Sequence, residues 1–331
     1  MAKTMKVTID EIRELCMNVF RKHGLSDEQG ETIFNEYLDG ELRGRKCHGF
    51  SAFKKFGVKV LKASVEEPKV EKDEPSYTLI NGMGNLGQLV CKGAMETTIN
   101  KARKNGIAIT GIHNMHSYLM PGTYARMAAN HDMIAFIFNY GGRPRIAPYG
   151  SIDPVFGTNP IAIGIPNNGY PIVVDMATSE RALGLVRLAQ KLDQKLDSKW
   201  ALDKDGNATD DPGKAMDGAV LPFGGYKGSA LALVVEILTR PLLNIKGREN
   251  DDKPGRGFIF IVIDPSIFSD IKAFKSNVKE VVNKMKSGRK AKGVDEIFFP
   301  GEKDERTKQE NLERGYLEID KRIIDEIKGM L

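Results

Sequence analysis

Cysteine is scarce in this chain of 331 residues, and the three present, Cys16, Cys47 and Cys91, are odd in number and widely spaced. That pattern excludes a disulfide framework and points to a reducing compartment, with the cytoplasm as the expected location. Long apolar runs are missing too: none approaches the ~20 residues that a membrane helix needs. Met1 to Asp10 has no apolar signal core, so no anchor is expected. Charge of one sign is not in strong excess, with 49 basic against 44 acidic side chains and a net +5, too weak a bias to argue for nucleic acid. The excess is concentrated between Asp270 and Lys292, which hold eight Lys or Arg and two acids. Ile271, Phe274, Val278, Val281 and Met285 recur there at helical spacing, so these lysines read as the wet face of an amphipathic helix rather than a polyanion site. Metal signatures are absent as well. His113 and His116 lack a third nearby ligand or an HExxH pattern, and Asp203-Lys-Asp-Gly-Asn misplaces Gly206 and lacks the closing glutamate of a calcium loop. No metal is expected.

What is present fits a large core divided into two or three regions. Thr8 with Glu11, and Ser26 with Gln29, are capping-box pairs opening two helices. The first runs through Ile12, Cys16, Val19 and Phe20 to Gly24. The second, carrying Ile33, Phe34, Tyr37, Leu38 and Leu42, delivers the chain to Arg43-Gly-Arg-Lys-Cys-His-Gly49. Phe53, Phe56, Val60 and Leu61 predict a third helix, followed by a charged link from Glu66 to Pro75. Tyr77 to Ile80 and Ile107 to Ile112 read as strands flanking a helix that opens on Gly82-Met-Gly-Asn-Leu-Gly87. This GxGxxG lacks the acid that a dinucleotide fingerprint places near the end of its second strand, where Gly111, Ile112 and His113 stand instead, so the glycines are read as structural. Ile134 to Phe138, Ala162 to Ile165, Ile172 to Val174 and Phe258 to Ile263 are further strands, suggesting a mixed sheet. A polar excursion at 185–218 covers a cleft in this reading, and a last helix from Asp320 packs Ile323, Ile324 and Ile327.

One stretch organises the rest: Leu221-Pro-Phe-Gly-Gly-Tyr-Lys-Gly-Ser229 running into the apolar helix that ends near Leu238. Gly224, Gly225 and Gly228 permit positive φ and close approach, Ser229 is read as the helix start, and Lys227 adds a mobile charge, together an anion cradle. With Phe156-Gly-Thr-Asn-Pro-Ile-Ala-Ile-Gly-Ile-Pro166, Val174-Asp-Met-Ala-Thr-Ser179 and Trp200-Ala-Leu-Asp-Lys-Asp-Gly206, this stretch resembles the malate/L-lactate dehydrogenase family, whose cofactor domain is not a Rossmann fold. The resemblance covers nearly the whole chain. It implies an α/β (α+β) fold with a mixed-sheet NAD(P)-binding domain at 77–299 and a helical substrate-side domain at 1–76 joined by 300–331. It also implies a homodimer, and NAD or NADP as cofactor.

Hydride exchange with a carbonyl needs a proton donor near neutrality, and histidine titrates there unaided. His23 reads as a helix cap and His131 as a polar helix end. His48 is the leading candidate, flanked by glycine and three cations, of which Arg43 and Arg45 favour its neutral form. The resemblance places the family's proton-transferring histidine at His48, within a Ser-His-Gly motif whose serine is Cys47 here. An arginine usually found four positions after that histidine, implicated in binding the substrate carboxylate, is Ala52. A second family histidine aligns with Ser117, leaving His116 one residue early as either a second catalytic group or a structural one, with Pro121 as a one-residue insertion that restores the register. Arg143-Pro-Arg145 is either a replacement carboxylate clamp or a stiffened surface turn, and Arg43 joins these two as a substrate-side cation. For the cofactor, the resemblance implicates Pro171, Ile172, Val173, Val174, Asp175, Met176 and Ala177, the pair Tyr226 and Lys227, and Gly301, Glu302 and Lys303. The expected activity is an NAD(P)-dependent dehydrogenase of 2-hydroxy acids. The altered residues 47 and 52 keep open a cyclic-imine or ureidoglycolate-type dehydrogenase of the same fold, or a cofactor-binding protein without turnover.

Overall fold

A computed structural model describes residues 4–63, 66–191, 193–245 and 256–331. The chain opens with strand β1 (Thr4–Thr8), whose last residue also caps α1 (Ile9–Lys22), and Ser26 caps α2 (Asp27–Leu42); both capping boxes are closed by Glu11 and Gln29. Two 3₁₀ turns, Lys46–His48 and Phe50–Ala52, then lead into α3 (Lys54–Lys62). Phe50, Phe53 and Phe56 bury their rings against Phe20, Phe34 and Tyr37, with Phe20 and Phe56 edge to face at 4.8 Å. The side chain of Leu61 lies outside the described ones.

The expected link from Glu66 to Pro75 contains an edge strand instead, β2 (Lys69–Glu74), antiparallel to β3 (Tyr77–Asn81). All six of its side chains are exposed, so no buried face betrays it, and charges on an outer strand deter pairing with other molecules. α4 (Gly87–Asn105) carries the chain to β4 (Ile107–His113), parallel to β3. Next comes α5 (Pro121–Asn130), so Pro121 is the first residue of a helix, where its missing N–H costs nothing. β5 (Ile134–Asn139), β6 (Ile161–Ile165) and β7 (Ile172–Met176) follow as antiparallel neighbours.

The excursion holds α6 (Leu183–Lys191), β8 (Ala201–Leu202), α7 (Pro212–Asp217) and β9 (Ala219–Val220), with a small core of its own around Val186, Leu196 and Val220. α8 (Tyr226–Thr239) begins three residues before Ser229, and β10 (Phe258–Ile263) inserts between β4 and β5. The seven-stranded sheet thus runs β2-β3-β4-β10-β5-β6-β7, mixed, with one parallel pair. Buried side chains of α4 and α5, including Val90, Met95, Tyr124 and Ala128, pack on one face of it.

α9 (Ile271–Lys286) is the expected lysine-rich helix, with Ile271, Phe274 and Val278 partly shielded as the spacing predicts, but beyond them Val282 is buried, whereas Val281 is 70% exposed. The chain returns through α10 (Glu302–Arg314), β11 (Tyr316–Asp320) and α11 (Lys321–Lys328). β11 pairs with β1, and Leu317, Ile319, Ile324 and Ile327 complete the core built by α1, α2 and α3. Among the described residues no helix is long and apolar enough to cross a membrane.

Candidate active site

His48 ends the first 3₁₀ turn, and its mounting is tight. A Cβ on Gly40 would lie 2.5 Å from the His48 carbonyl oxygen, so glycine is required there, and one on Gly49, 2.2 Å from Glu41 Oε2, would displace that carboxylate. Glu41 Oε2 accepts the Phe50 N–H at 3.1 Å, and burial pushes that carboxyl up to about 6. The imidazole Nδ1 lies 3.2 Å from Cys47 Sγ. Burial, reinforced by Arg45, depresses His48 to about 4, so the ring rests neutral, and burial raises the Cys47 thiol, which stays protonated.

Arg43, expected to face substrate, is 4% exposed and held in a buried network. Its Nε donates to Asp39 at 2.8 Å and its Nη1 lies 2.7 Å from Glu305, while Arg126 reaches both acids and Lys308 reaches Asp39 at 2.8 Å. Burial works against the Asp39 carboxylate, but Arg126, Arg43 and Lys308 outweigh it and hold the group at about 2. With its charge compensated there, Arg43 braces the turn that carries His48. Of the two arginines expected to act on the imidazole, Arg45 does so.

A second wall is the loop between β4 and α5. Its backbone is gripped from three sides: Asn85 O accepts His116 N–H at 2.8 Å, Glu36 Oε1 accepts Leu119 N–H at 2.7 Å, and Gly87 leaves no room for a Cβ, which would lie 2.4 Å from His116 O. The GxGxxG therefore packs backbone on backbone, with Gly82 and Gly84 donating to His113 O and Asn114 O. Glu36, missed in the sequence, is buried among the apolar residues of α2 and pushed up by burial to about 7, although Leu119, Met120 and Tyr124 all donate to it. An acid inside the apolar run Ile33, Phe34, Tyr37 was the available signal. Tyr118 is buried beside it, and its hydroxyl has no hydrogen-bond partner.

β7 forms the third wall and joins the segments assigned to the cofactor. At one end Val173 N–H donates to Pro300 O at 3.0 Å, and Gly301, at φ +89°, leaves no space for a side chain against Val173. At the other end Phe223 N–H donates to Thr178 O at 3.1 Å, and Gly228 packs on the same carbonyl. These junctions lie five residues apart along an extended chain, about 16 Å. Midway, Asp175 Oδ2 accepts Gly122 N–H at 2.9 Å at the start of α5. Asp175 keeps some accessible surface, yet the surrounding protein raises its carboxyl to about 6 against that hydrogen bond and the charges of Arg45 and Arg126. Arg45 ties the His48 turn to this wall through Asp304 at 2.9 Å.

The glycine-rich turn differs from an open cradle of amides. Gly224 N–H is held by Glu180 at 3.0 Å, and the N–H groups of Gly225, Lys227 and Gly228 turn inward to carbonyls of the same loop. What the turn presents is the exposed side chain of Lys227, with Tyr226 against Tyr149. Glu302 is likewise committed, buried between Lys286 at 2.7 Å and Arg306 at 2.6 Å, whereas Lys303 is exposed.

The excursion does reach the His48 turn: a Cβ on Gly184 would lie 3.2 Å from Cys47 Cβ. Its α6 also carries Arg187, which feels both Arg145 and Arg143 and, across the gap, Lys55. Arg143 is exposed, and Arg145 donates through Nη1 to Met216 O at 2.8 Å. Lys59, four residues beyond Lys55 on α3, is depressed to about 8 by burial, Arg256 and Lys55, with Glu36 opposing.

Comparison with known proteins agrees with this assembly. The family model for malate/L-lactate dehydrogenase matches residues 7–328. A malate/(S)-sulfolactate dehydrogenase of Methanothermus fervidus is 36% identical over 98% of this chain and 96% of its own. The solved sulfolactate dehydrogenase of Methanocaldococcus jannaschii superposes with a TM-score of 0.88 at 33% identity, covering 98% of this chain and 96% of that one. The malate dehydrogenase of Entamoeba histolytica superposes with a TM-score of 0.92 at 25% identity, covering 99% and 97%. With its motifs, sheet order and converging segments all in agreement, the chain belongs to the malate/L-lactate dehydrogenase family of oxidoreductases.

Proposed function

We propose that this enzyme interconverts a 2-hydroxy acid and a 2-oxo acid, with His48 as the proton-transferring group. The observation that carries the reading is the neutral, half-buried imidazole on a turn tied by Arg45 and Asp304 to the wall where the β7 and 300–303 segments meet. When bound, a nicotinamide cofactor supplies or receives the hydride. The protein fits one: β7 offers an extended edge with the glycine that close approach requires at Gly301, Asp175 at its middle, and exposed Lys303 and Lys227 towards its two ends. The remaining residues of Pro171 to Ala177 supply the backbone of that edge.

In the oxidation direction, neutral His48 accepts the hydroxyl proton of the substrate, and in reduction it returns it. For the free nitrogen Nε2 to act as base, Nδ1 carries its hydrogen and donates to Cys47 Sγ, the atom standing where relatives have a serine oxygen. His116, on a separate loop, is the second candidate. Cys16, Cys47 and Cys91 are all free thiols, as suits the cytoplasm.

The apolar helix α8 leaves Leu233, Val234 and Ile237 46–48% exposed. A helix apolar on all sides belongs in an interior, which favours a homodimer in which a second copy covers this face. Sedimentation of the purified protein as a monomer at micromolar concentration would remove that part of the reading.

The central test follows NADH and NADPH absorbance with oxaloacetate, 3-sulfopyruvate, pyruvate and a cyclic-imine carboxylate. Turnover of a 2-oxo acid supports the proposal, exclusive turnover of the imine moves the enzyme to the sister activity, and nucleotide binding without turnover of any leaves a cofactor-binding protein.

A further inference from the structure

Glu36 is a buried carboxyl that proton transfer at His48 does not use, and it lies where two walls of the site are fastened together. It stands on α2 four residues before Gly40, hence on the same face and roughly 6 Å along the helix. Gly40 seats the His48 carbonyl. Glu36 holds the opposite wall: Oε1 accepts Leu119 N–H at 2.7 Å and Met120 N–H at 3.3 Å, and Oε2 accepts the Tyr124 hydroxyl at 3.2 Å. These donors surround the entry to α5. Pro121 has no N–H, and the next one, of Gly122, goes to Asp175 of β7 at 2.9 Å. The start of α5 is thus held between two carboxyls, one on the helix that seats His48 and one on the strand assigned to the cofactor.

A second tie lies beside it on α2. Asp39 accepts from Arg126 of α5 at 3.1 Å and has Arg43 and Lys308 around it as well, so it stays charged. Among the described residues Glu36 forms no ion pair. The titratable and charged groups that face it are Tyr37 on its own helix, Tyr118 and Tyr124 about the start of α5, Cys91 on α4 and Lys59 on α3. Burial outweighs Lys59 and the three donors together. An ionised Glu36 is therefore unfavourable while these contacts are closed, and the strain is relieved when the start of α5 moves off and water reaches the carboxylate. The Asp39 tie persists in either case.

We propose that Glu36 is a positioning residue that works as a proton-operated clip: protonated, it sets the start of α5 and the loop before it against the His48 turn, and on losing its proton it lets that wall loosen. For its effect on turnover the clip rests on the proposed dehydrogenase function; its contacts do not. The closed clip binds the proton more tightly than a solvated carboxyl does, so opening becomes easier as pH rises from 4.5 to about 7 and levels off beyond. Above pH 5 His48 is already neutral and adds no step of its own to oxidation in that range.

The test follows hydrogen exchange at Leu119 and Met120, corrected for the intrinsic chemical rate, together with oxidation of malate, 3-sulfolactate and lactate by NAD and NADP, between pH 5 and 8. In the native protein the opening of these amides should rise about 10- to 100-fold from pH 5 to 7.5. In Glu36→Gln, whose amide keeps an acceptor and cannot ionise, it should stay near the native pH 5 value throughout. The ratio of native to Glu36→Gln KM for the hydroxy acid should climb over the same window, with kcat changing little, and Glu36→Ala should show open exchange and a high KM at every pH. Native exchange that is independent of pH, or a step that persists in Glu36→Gln and so belongs to Asp175 or Glu41, overturns the clip. If exchange responds as expected while no hydroxy acid is oxidised, the clip holds and the dehydrogenase reading falls. If a hydroxy acid is oxidised with the same KM ratio from pH 5 to 8, the dehydrogenase reading holds and the positioning role falls.

Discussion

Arg45 Nη2 lies 2.9 Å from Asp304 Oδ2, joining the turn that holds His48 to the helix that follows the proposed cofactor segment. Arg45 is half-exposed, so the pair itself adds little stability, on the order of 0–1 kcal/mol. Its effect is electrostatic and positional: the same guanidinium disfavours the imidazolium of His48 and favours the carboxylate of Asp175.

His48→Asn should lower kcat by about 10²–10⁴ at neutral pH while nucleotide affinity stays near the native value. Loss of activity in His116→Asn with near-normal turnover in His48→Asn would transfer the proton-transferring role to the loop between β4 and α5. In the free native enzyme the rate of 2-hydroxy acid oxidation, read as kcat/KM, should fall as pH drops through about 4, where His48 becomes charged and can no longer accept a proton.

Glu36 provides a stability test. Its folded value, about 7, lies above the ordinary carboxyl value of 4.5, so the folded state holds the proton more tightly than the unfolded chain. Its contribution is complete below pH 4.5 and is lost as pH rises through about 7, a change on the order of 3 kcal/mol. Glu41 and Asp175 act in the same direction up to about 6. Urea unfolding of Glu36→Gln between pH 4.5 and 7.5 should show a flatter profile than the native protein, and an unchanged slope would mean that the carboxyl is ionised in the fold.

Lys227→Ala should weaken pyridine-nucleotide binding by about 1–3 kcal/mol without lowering the melting temperature, since the exposed ammonium is the group the turn presents. Calorimetry with unchanged affinity would reduce Lys227 to a solvated turn residue.

Gly82→Ala and Gly84→Ala should lower stability, the first because its Cβ would lie 2.6 Å from Met115 Cβ and the second because its φ is +75°. Nucleotide affinity per folded molecule should be intact in both. A collapse of affinity in a fully folded variant would restore a phosphate-binding role to these glycines.

Much of the fold is legible where the signal is local. The capping boxes at Thr8 and Ser26, the strands around Ile109 and Ile137, and the missing ribose acid after β4 all lead to the observed elements. Elements held by distant partners are not. α10 has no apolar stripe to read, because the residues it buries are Glu302 and Glu305, which pair with Lys286, Arg306, Arg43 and Arg126. The same reason hid the role of Arg43, a cation in a loop by sequence and a brace in a buried network by structure. Val282, rather than Val281, faces inward because the shielded stripe, after Ile271, Phe274 and Val278, steps on by four residues and not three. Asp175 came from resemblance alone.

The pairing of β1 with β11 sets an order on biosynthesis. Among the described residues the only strand partner of Thr4–Thr8 is Tyr316–Asp320, made roughly 300 residues later, tens of seconds at ordinary elongation rates. The helices around His48 therefore wait, with Leu317 and Ile319 still missing from their core, until β11 has been translated. A nascent chain halted before α10 would hold its histidine turn without the acids, Glu305 and Asp304, that brace Arg43 and Arg45.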